Sequence, residues 1–359
     1  MDFELSDDQL ALREAARDLL DDLAGPAQVR AVVDGPAGID AKLWQAMVDQ
    51  GWLGVELAED RGGLGLGTVE AAVLLEELGG HVAPVPFLQQ WLALDSLVTA
   101  AAAGVSEVEA WIEPLTSGER IATVAWQPVI AEGSGVGWSL TGRTEPAVFA
   151  PTAAVAVVRS DDALFAVDLD GAAPARQPAM DRTRELGWLE FEGTSAVRLG
   201  ADDAVARFLD RGAMGHSAEM LGGAQRMLDM AVEYAKERVQ FDRPIGSFQA
   251  VKHRCADMLV DVEGMRSAVY YAAWCIGAGH PDASVAASTA KTWCSDAARR
   301  VMGSGLQVHG GIGFTWEHDT HLFLKRSQLD QVSFGDAVFH RARLAALLRP
   351  RVEAGESVV

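Results

Sequence analysis

The chain has 359 residues, of which 49% are hydrophobic and 23% are charged, and its formal net charge is −21 at pH 7. This length predicts two or three domains with a large buried core, and the acidic balance argues against nucleic acid as a partner. No apolar run approaches the roughly 20 residues that a membrane-spanning helix needs, so we expect no membrane span.

The start of the chain and its cysteines bear on the compartment. The first residues, Met1-Asp2-Phe3-Glu4, are acidic and lead into an amphipathic helix, which differs from the basic start of a signal peptide. Cys255, Cys275 and Cys294 are widely spaced and follow no metal-ligand pattern. They indicate buried thiols in a reducing compartment. We therefore expect a cytoplasmic protein without a bound metal.

Residues 1–118 are predicted to form an N-terminal helical domain. Ser6 precedes two acidic residues, as an N-cap does, and leucines follow it at helical spacing. A second short helical pattern occupies 43–48. The glycine-rich segment 51–67 is interpreted as a loop that leads into a further helix at 69–78.

Residues 119–205 change pattern and predict a middle β domain. The apolar or alternating runs there are short, and Gly, Pro, Asp and Ser separate them at strand-like intervals. The runs are 121–126, 148–150, 155–158 and 163–167. Such a pattern is typical of a small barrel or sandwich.

Residues 206–359 return to helical patterns. Gly222 and Gly223 are small enough to let helices approach closely, and an apolar stripe continues from them towards residue 238. Three further long helices are predicted at 251–276, 283–306 and 320–348, which together predict a four-helix bundle. The predicted fold is thus mainly α with an inserted β domain.

The run Arg238-Val-Gln-Phe-Asp-Arg-Pro-Ile-Gly-Ser-Phe-Gln249 lies between two of these helices. Arg238 is a permanent cation whose planar donors suit a diphosphate. Phe241 offers an apolar face for an aromatic ring. Pro244 and Gly246 end the preceding helix, and Gln249 opens the next one.

A second run, Gln307-Val-His-Gly-Gly-Ile-Gly-Phe314, follows about sixty residues later. Gly310, Gly311 and Gly313 allow backbone to approach a ligand closely, although a Gly-Gly-x-Gly run alone is equally typical of a helix end. Together the two runs resemble the acyl-CoA dehydrogenase family. The resemblance extends over the whole chain as a helical domain, a β domain and a helical bundle.

This resemblance implies a flavoprotein. In the family, FAD lies between the β domain and the bundle, and a neighbouring subunit completes its site. By resemblance, Arg238 contacts the diphosphate, Phe241 lies by the adenosine half and Gln249 helps to hold that half. The residues expected to come from the neighbouring subunit are Gln307, Gly310, Gly311 and Gly313.

The resemblance also implies a reaction and partners. The reaction is α,β-dehydrogenation of an acyl-CoA thioester, in which a carboxylate removes the α proton and the flavin accepts the β hydride. The expected electron acceptor is electron-transfer flavoprotein, and the expected assembly is a homo- or hetero-tetramer. No Gly-x-Gly-x-x-Gly run follows a predicted strand, so a nicotinamide dehydrogenase is not expected.

The sequence departs from the family at the catalytic base and at the flavin-lining run. The usual base is a Glu just before a glycine, but Phe334 precedes Gly335 here, and the alternative base position falls near Gly212. Asp336 is the nearest acid to the usual place, and it serves either as the base or as a helix N-cap. The family's Thr-Glu-Pro run becomes Trp126-Gln127-Pro128.

Three functions remain open from the sequence. The chain is an active acyl-CoA dehydrogenase that uses Asp336 or another acid, or it is a base-lacking subunit of a mixed assembly. The second alternative resembles actinobacterial family members that form mixed tetramers and act on steroid side chains. The third alternative is a nitroalkane-oxidase-like flavoprotein on the same fold, which uses an aspartate base. Steroid, branched and linear acyl groups all remain open.

Overall fold

The computed structural model describes residues 4–36, 38–135 and 137–356. Most of this chain is helical, and a single larger sheet lies in its middle part. The predicted acidic start falls partly on residues 1–3, which lie outside the described ranges. Within those ranges, no helix is both long enough and apolar enough to cross a bilayer.

The N-terminal part is helical, as predicted. Ser6 starts the first helix with a capping box, because Ser6 Oγ accepts from Gln9 N–H (3.2 Å) and Gln9 Oε1 accepts from Ser6 N–H (3.0 Å). The glycine-rich loop joins the third helix to the fourth through two short 3₁₀ turns. The helices are α1 Asp7–Leu23, α2 Pro26–Asp34, α3 Ala41–Asp49, α4 Thr68–Gly80, α5 Phe87–Ala102 and α6 Glu109–Thr116.

The middle part is a small β domain, but its described strands do not close into a barrel. Six strands pair in the order β1-β4-β5-β6-β3-β2, so β1 and β2 are opposite edges. Among the strands that the structure describes, only β1 and β4 pair in parallel. The strands are β1 Ala122–Ala125, β2 Ile130–Ser134, β3 Gly137–Val148, β4 Val155–Arg159, β5 Leu164–Asp168 and β6 Leu186–Gly200. Leu140, Phe165 and Phe191 are central to the domain's apolar core.

The C-terminal part is a bundle of long helices. These are α7 Asp202–Glu237, α8 Gln249–Gly277, α9 Ala283–His309, α10 Thr320–Val332 and α11 Ala337–Glu353. A two-stranded hairpin, β7 Val239–Gln240 and β8 Arg243–Pro244, joins α7 to α8. The prediction of one continuous helix over 320–348 is wrong. The backbone breaks at 333–336, because Phe334 (φ +55°) and Gly335 (φ +89°) are both left-handed.

The small residues of α7 pack as predicted. A Cβ on Gly222 would lie 1.8 Å from Glu76 O of α4, and one on Gly79 would lie 2.2 Å from Glu219 O. Because both distances are far below van der Waals contact, only glycine permits this approach of α4 to α7.

Contacts divide the chain into two compact units. The first contains Met1–Ala27, Thr68–Ala83 and Ala213–Val359, and the second contains Gln28–Gly67 and Pro84–Gly212. This division differs from the three predicted domains, whose boundaries at 118/119 and 205/206 stay a prediction.

Candidate functional site

The Arg238 run forms a tight hairpin at the end of α7. Arg238 N–H donates to Tyr234 O (2.9 Å), and Arg238 O accepts from Ile245 N–H (2.8 Å). Phe241 and Asp242, at the tip, both have left-handed backbone with φ of +54° and +61°. Two successive left-handed residues are typical of the type I′ turn that joins two paired strands. The hairpin therefore projects Phe241 into solvent, where its side chain is 85% exposed.

The same hairpin presents positive charge beside aromatic rings. The Phe241 ring meets the Phe248 ring edge-on at 6.0 Å, and the Arg243 guanidinium lies 4.1 Å from the Phe248 ring centroid. Arg238 is exposed, and no ion pair joins it to any carboxylate of the described residues. Gln249 is the exposed first residue of α8, whose N-terminus lacks a side-chain cap. A helix N-terminus beside a free guanidinium favours an anion such as a diphosphate.

The glycine run directly after α9 is a stretch of backbone with few side chains. Gly310 has a φ of +64°, and a Cβ on Gly310 or Gly311 would meet no atom within 4 Å. Gly313 is packed instead, because its Cβ would lie 3.0 Å from His309 Cβ. Gln307, on the last turns of α9, is exposed. The backbone at Gly310 and Gly311 is therefore open to close approach by a ligand or another chain.

The structure brings the two runs to one end of the bundle. The rings of Tyr234, one turn before Arg238, and His309, directly before Gly310, stack at 4.9 Å with an interplanar angle of 26°. The centroid of the His318 ring lies 4.6 Å from that of the His309 ring. The sequence alone placed the two runs at the ends of separate helices. The contact between the Tyr234 and His309 rings brings these two helix ends together.

Residue 334, where the resemblance places the base, is a buried phenylalanine. Phe334 is 5% exposed, and its ring lies 5.6 Å from the His216 ring. Asp336 is exposed and caps α11, because its Oδ1 accepts from Phe339 N–H (2.8 Å). The N-cap role that the sequence left open is thus present in the structure, and the role as a base stays a hypothesis.

Sequence reasoning missed a buried polar cluster behind Phe334. His216 Nδ1 lies 3.0 Å from Asp330 Oδ1 and 3.9 Å from Glu219 Oε2, and all three residues are buried. Glu219, like the other two, belongs to the first of the two units. The i,i+3 spacing of His216 and Glu219 was visible in the sequence, whereas Asp330 is 114 residues from His216.

Ligand atoms of this cluster lie within 4.8 Å of one another, a spacing that a metal ion could bridge. A protein cation is already close, because Lys291 of α9 is fully buried and interacts electrostatically with Asp330. Burial lowers the pKa of Lys291 to about 7, and the Asp330 charge opposes that shift. A buried ion cluster therefore accounts for these residues without a metal.

In the β domain, the Glu145 carboxylate forms hydrogen bonds with the backbone of the Trp126-Gln127-Pro128 run. The two Glu145 oxygens accept from Trp126 N–H (2.6 Å) and Gln127 N–H (2.7 Å). The Arg159 guanidinium lies 4.0 Å from the Trp126 ring centroid. Both backbone donors of this run are therefore used within the chain.

Comparisons with known proteins show which sequences are similar to this chain. The acyl-CoA dehydrogenase N-terminal domain matches residues 6–119, and the acyl-CoA dehydrogenase C-terminal domain matches residues 200–348. The chain is 35% identical to acyl-CoA dehydrogenase IpdE2 of Mycolicibacterium smegmatis over 324 residues, which are 90% of this chain and 93% of that protein.

Solved structures show the same fold. A chain of the ChsE4-ChsE5 complex from Mycobacterium tuberculosis is 31% identical with a TM-score of 0.89, covering 97% of this chain and 99% of that one. A chain of the Tcur3481-Tcur3483 steroid ACAD is 30% identical with a TM-score of 0.88, covering 96% of this chain and 99% of that one. This chain belongs to the acyl-CoA dehydrogenase family of oxidoreductases.

Proposed function

We propose that this chain is the base-lacking subunit of a mixed, FAD-dependent acyl-CoA dehydrogenase. One observation carries the proposal: residue 334, at the family's base position, is a buried phenylalanine. A phenylalanine cannot accept the α proton, and the nearest acid, Asp336, is engaged as the cap of α11. The related subunit then supplies the base.

The cofactor proposed is FAD, which supplies the hydride acceptor for this chemistry. Arg238 holds the diphosphate, and Phe241 packs against the adenosine half, with Gln249 beside it at the start of α8. The guanidinium of Arg238, which is exposed and has no ion-pair partner among the described residues, supports this assignment. Gln307, Gly310, Gly311 and Gly313 complete the cofactor site of a neighbouring chain, and the open space above Gly310 and Gly311 supports that role.

The partner proposed is a related acyl-CoA dehydrogenase subunit. Two structural relatives are pairs of different chains by their descriptions, ChsE4-ChsE5 and Tcur3481-Tcur3483, and the latter is described as a steroid ACAD. We infer an acyl-CoA substrate with a steroid-derived acyl group, electron-transfer flavoprotein as the acceptor and a cytoplasmic location. Three free cysteines agree with the last of these.

Flavin binding tests the proposal. The chain is purified alone and with its related subunit, and the bound flavin is read from its absorbance after dialysis. We expect full occupancy only in the mixed assembly, and anaerobic bleaching by an acyl-CoA only there. A chain that binds FAD alone and is bleached alone contradicts the base-lacking role.

The Arg238→Ala variant tests the site. Loss of a charge-assisted hydrogen bond costs about 1.5–3 kcal/mol, so FAD should bind about 10- to 150-fold more weakly. Arg299→Ala removes an arginine of α9 that is 74% exposed and serves as the control. If Arg238→Ala keeps full flavin occupancy after extensive dialysis, the assignment of Arg238 is wrong.

A further inference from the structure

Lys291 lies in the core of the bundle and donates to two backbone carbonyls. Its side chain is fully buried, and Nζ lies 2.9 Å from Gln331 O and 2.8 Å from Gly335 O. A buried ammonium group is costly unless hydrogen bonds compensate it. An apolar side chain would fill this space without that cost, so the charge at this place calls for a role other than packing.

The two carbonyls flank the turn that carries residue 334. Gln331 O is among the last carbonyls of α10, which lack partners within their helix, and a cation there also suits the negative end of the helix dipole. Gly335 O lies just beyond Phe334. Between them, Phe334 O accepts from His340 Nε2–H (2.9 Å) of α11. Side chains thus hold three carbonyls of one short turn.

The backbone of this turn is strained, so hydrogen bonds to its carbonyls are needed to hold it. Phe334 is a bulky residue with a φ of +55°, and a left-handed conformation costs a non-glycine residue roughly 1–2 kcal/mol. The supporting donors form these hydrogen bonds with backbone oxygens at 331, 334 and 335. They would hold the same backbone for any side chain at residue 334.

The surroundings of Lys291 make its charge sensitive to pH. Burial lowers its pKa to about 7, while the charges of Asp330 and Asp336 and the Cys294 thiol oppose the shift. His340 faces the same turn, and burial lowers its pKa to about 4, which leaves it neutral at pH 7. His216, from α7, contacts both Asp330 and the Phe334 ring.

We propose that Lys291 is a positioning residue of the candidate active site, which fixes the backbone at residue 334 through the carbonyls of Gln331 and Gly335. The proposal rests on the proposed function only in taking this turn as part of the acyl site. It implies that the chain retains the scaffold of the base position although its side chain is Phe334.

Hydrogen exchange of the purified chain without cofactor tests this role. Lys291→Met keeps the length of the side chain and removes its donor, while Lys236→Met changes an exposed lysine of the same unit and is the control. Two lost hydrogen bonds should speed exchange of the 331–340 amides by on the order of tenfold or more. The amides of α8 should keep their protection in both variants.

A pH series separates positioning from packing. After correction for intrinsic exchange, protection of 331–340 in the unchanged chain should rise as pH rises above about 7, because the closed, buried site binds the Lys291 proton less tightly than the opened, solvated site does. Lys291→Met should lack this step. Equal protection of the turn in Lys291→Met and the unchanged chain would overturn the proposal.

If Lys291→Met does not fold, the pH series on the unchanged chain still tests the role of the Lys291 charge. Protection of the turn that stays constant from about pH 6 to pH 8.5 in the unchanged chain then refutes the role of the charge. Because no cofactor is present, either outcome is independent of the flavin-binding test, so failure of the proposed function and failure of this inference are distinguishable.

Discussion

Replacing Asp336 with alanine and with asparagine separates its role as the N-cap of α11 from a role as a base. The cap bond joins Asp336 Oδ1 to Phe339 N–H at 2.8 Å. Alanine removes this bond, which should cost about 1 kcal/mol, whereas asparagine caps nearly as well as aspartate. A cost of 1 kcal/mol corresponds to about a fivefold change in a local equilibrium.

Two assays read the two roles. Hydrogen exchange at the Phe339 amide should be about fivefold faster in Asp336→Ala and nearly unchanged in Asp336→Asn. Turnover of an acyl-CoA by the mixed assembly should be unchanged in Asp336→Asn, because we expect the partner to supply the base. Asparagine keeps the size of the side chain and cannot accept the proton.

Each result can refute part of this reasoning. An Asp336→Asn variant that loses as much protection as Asp336→Ala shows that the cap bond is not what holds the first turn. An Asp336→Asn variant with unchanged stability and turnover lowered by orders of magnitude shows that Asp336 is the base and that the base-lacking role is wrong.

Three further predictions follow from packing, titration and assembly. In urea unfolding, Gly222→Ala should lower the unfolding free energy by at least about 1–3 kcal/mol, because the added Cβ would lie 1.8 Å from Glu76 O. Gly223→Ala should be neutral or stabilising, because the atom nearest to its added Cβ is 3.6 Å away. His340 is charged more readily in the unfolded chain, so stability should fall as pH drops from about 6.5 to about 4, and His340→Gln should reduce that fall. Light scattering of the FAD-bound protein should show an oligomer, because the glycine run is proposed to complete a neighbour's site.

Controls sharpen these three tests. Equal destabilisation by Gly222→Ala and Gly223→Ala would contradict the close approach of α4 to α7. His253→Gln changes an exposed histidine and should leave the pH dependence as it is; a His340→Gln variant that behaves the same way refutes the assignment of the acid transition to His340. A monomer that retains tightly bound FAD excludes the shared cofactor site.

Local patterns in the sequence determined the elements and the two motif runs. The helical spacing of leucines, the cap at Ser6 and the alternation in the middle domain act over a few residues, so the elements that they produce can be predicted without the fold. Arg238, Phe241 and Gln249 could be selected because one short run contains them. The lack of a carboxylate at the expected base position could also be predicted, since Phe334 directly precedes Gly335.

Only the tertiary structure decided what surrounds that position. The break between α10 and α11 depends on left-handed backbone at Phe334 and on donors from Lys291 and His340, and Lys291 is 44 residues from Gly335. The pairing of His216 with Asp330 spans 114 residues. Such contacts depend on how helices stack rather than on any local periodicity, because a buried charge is tolerated only where the fold brings partners to it.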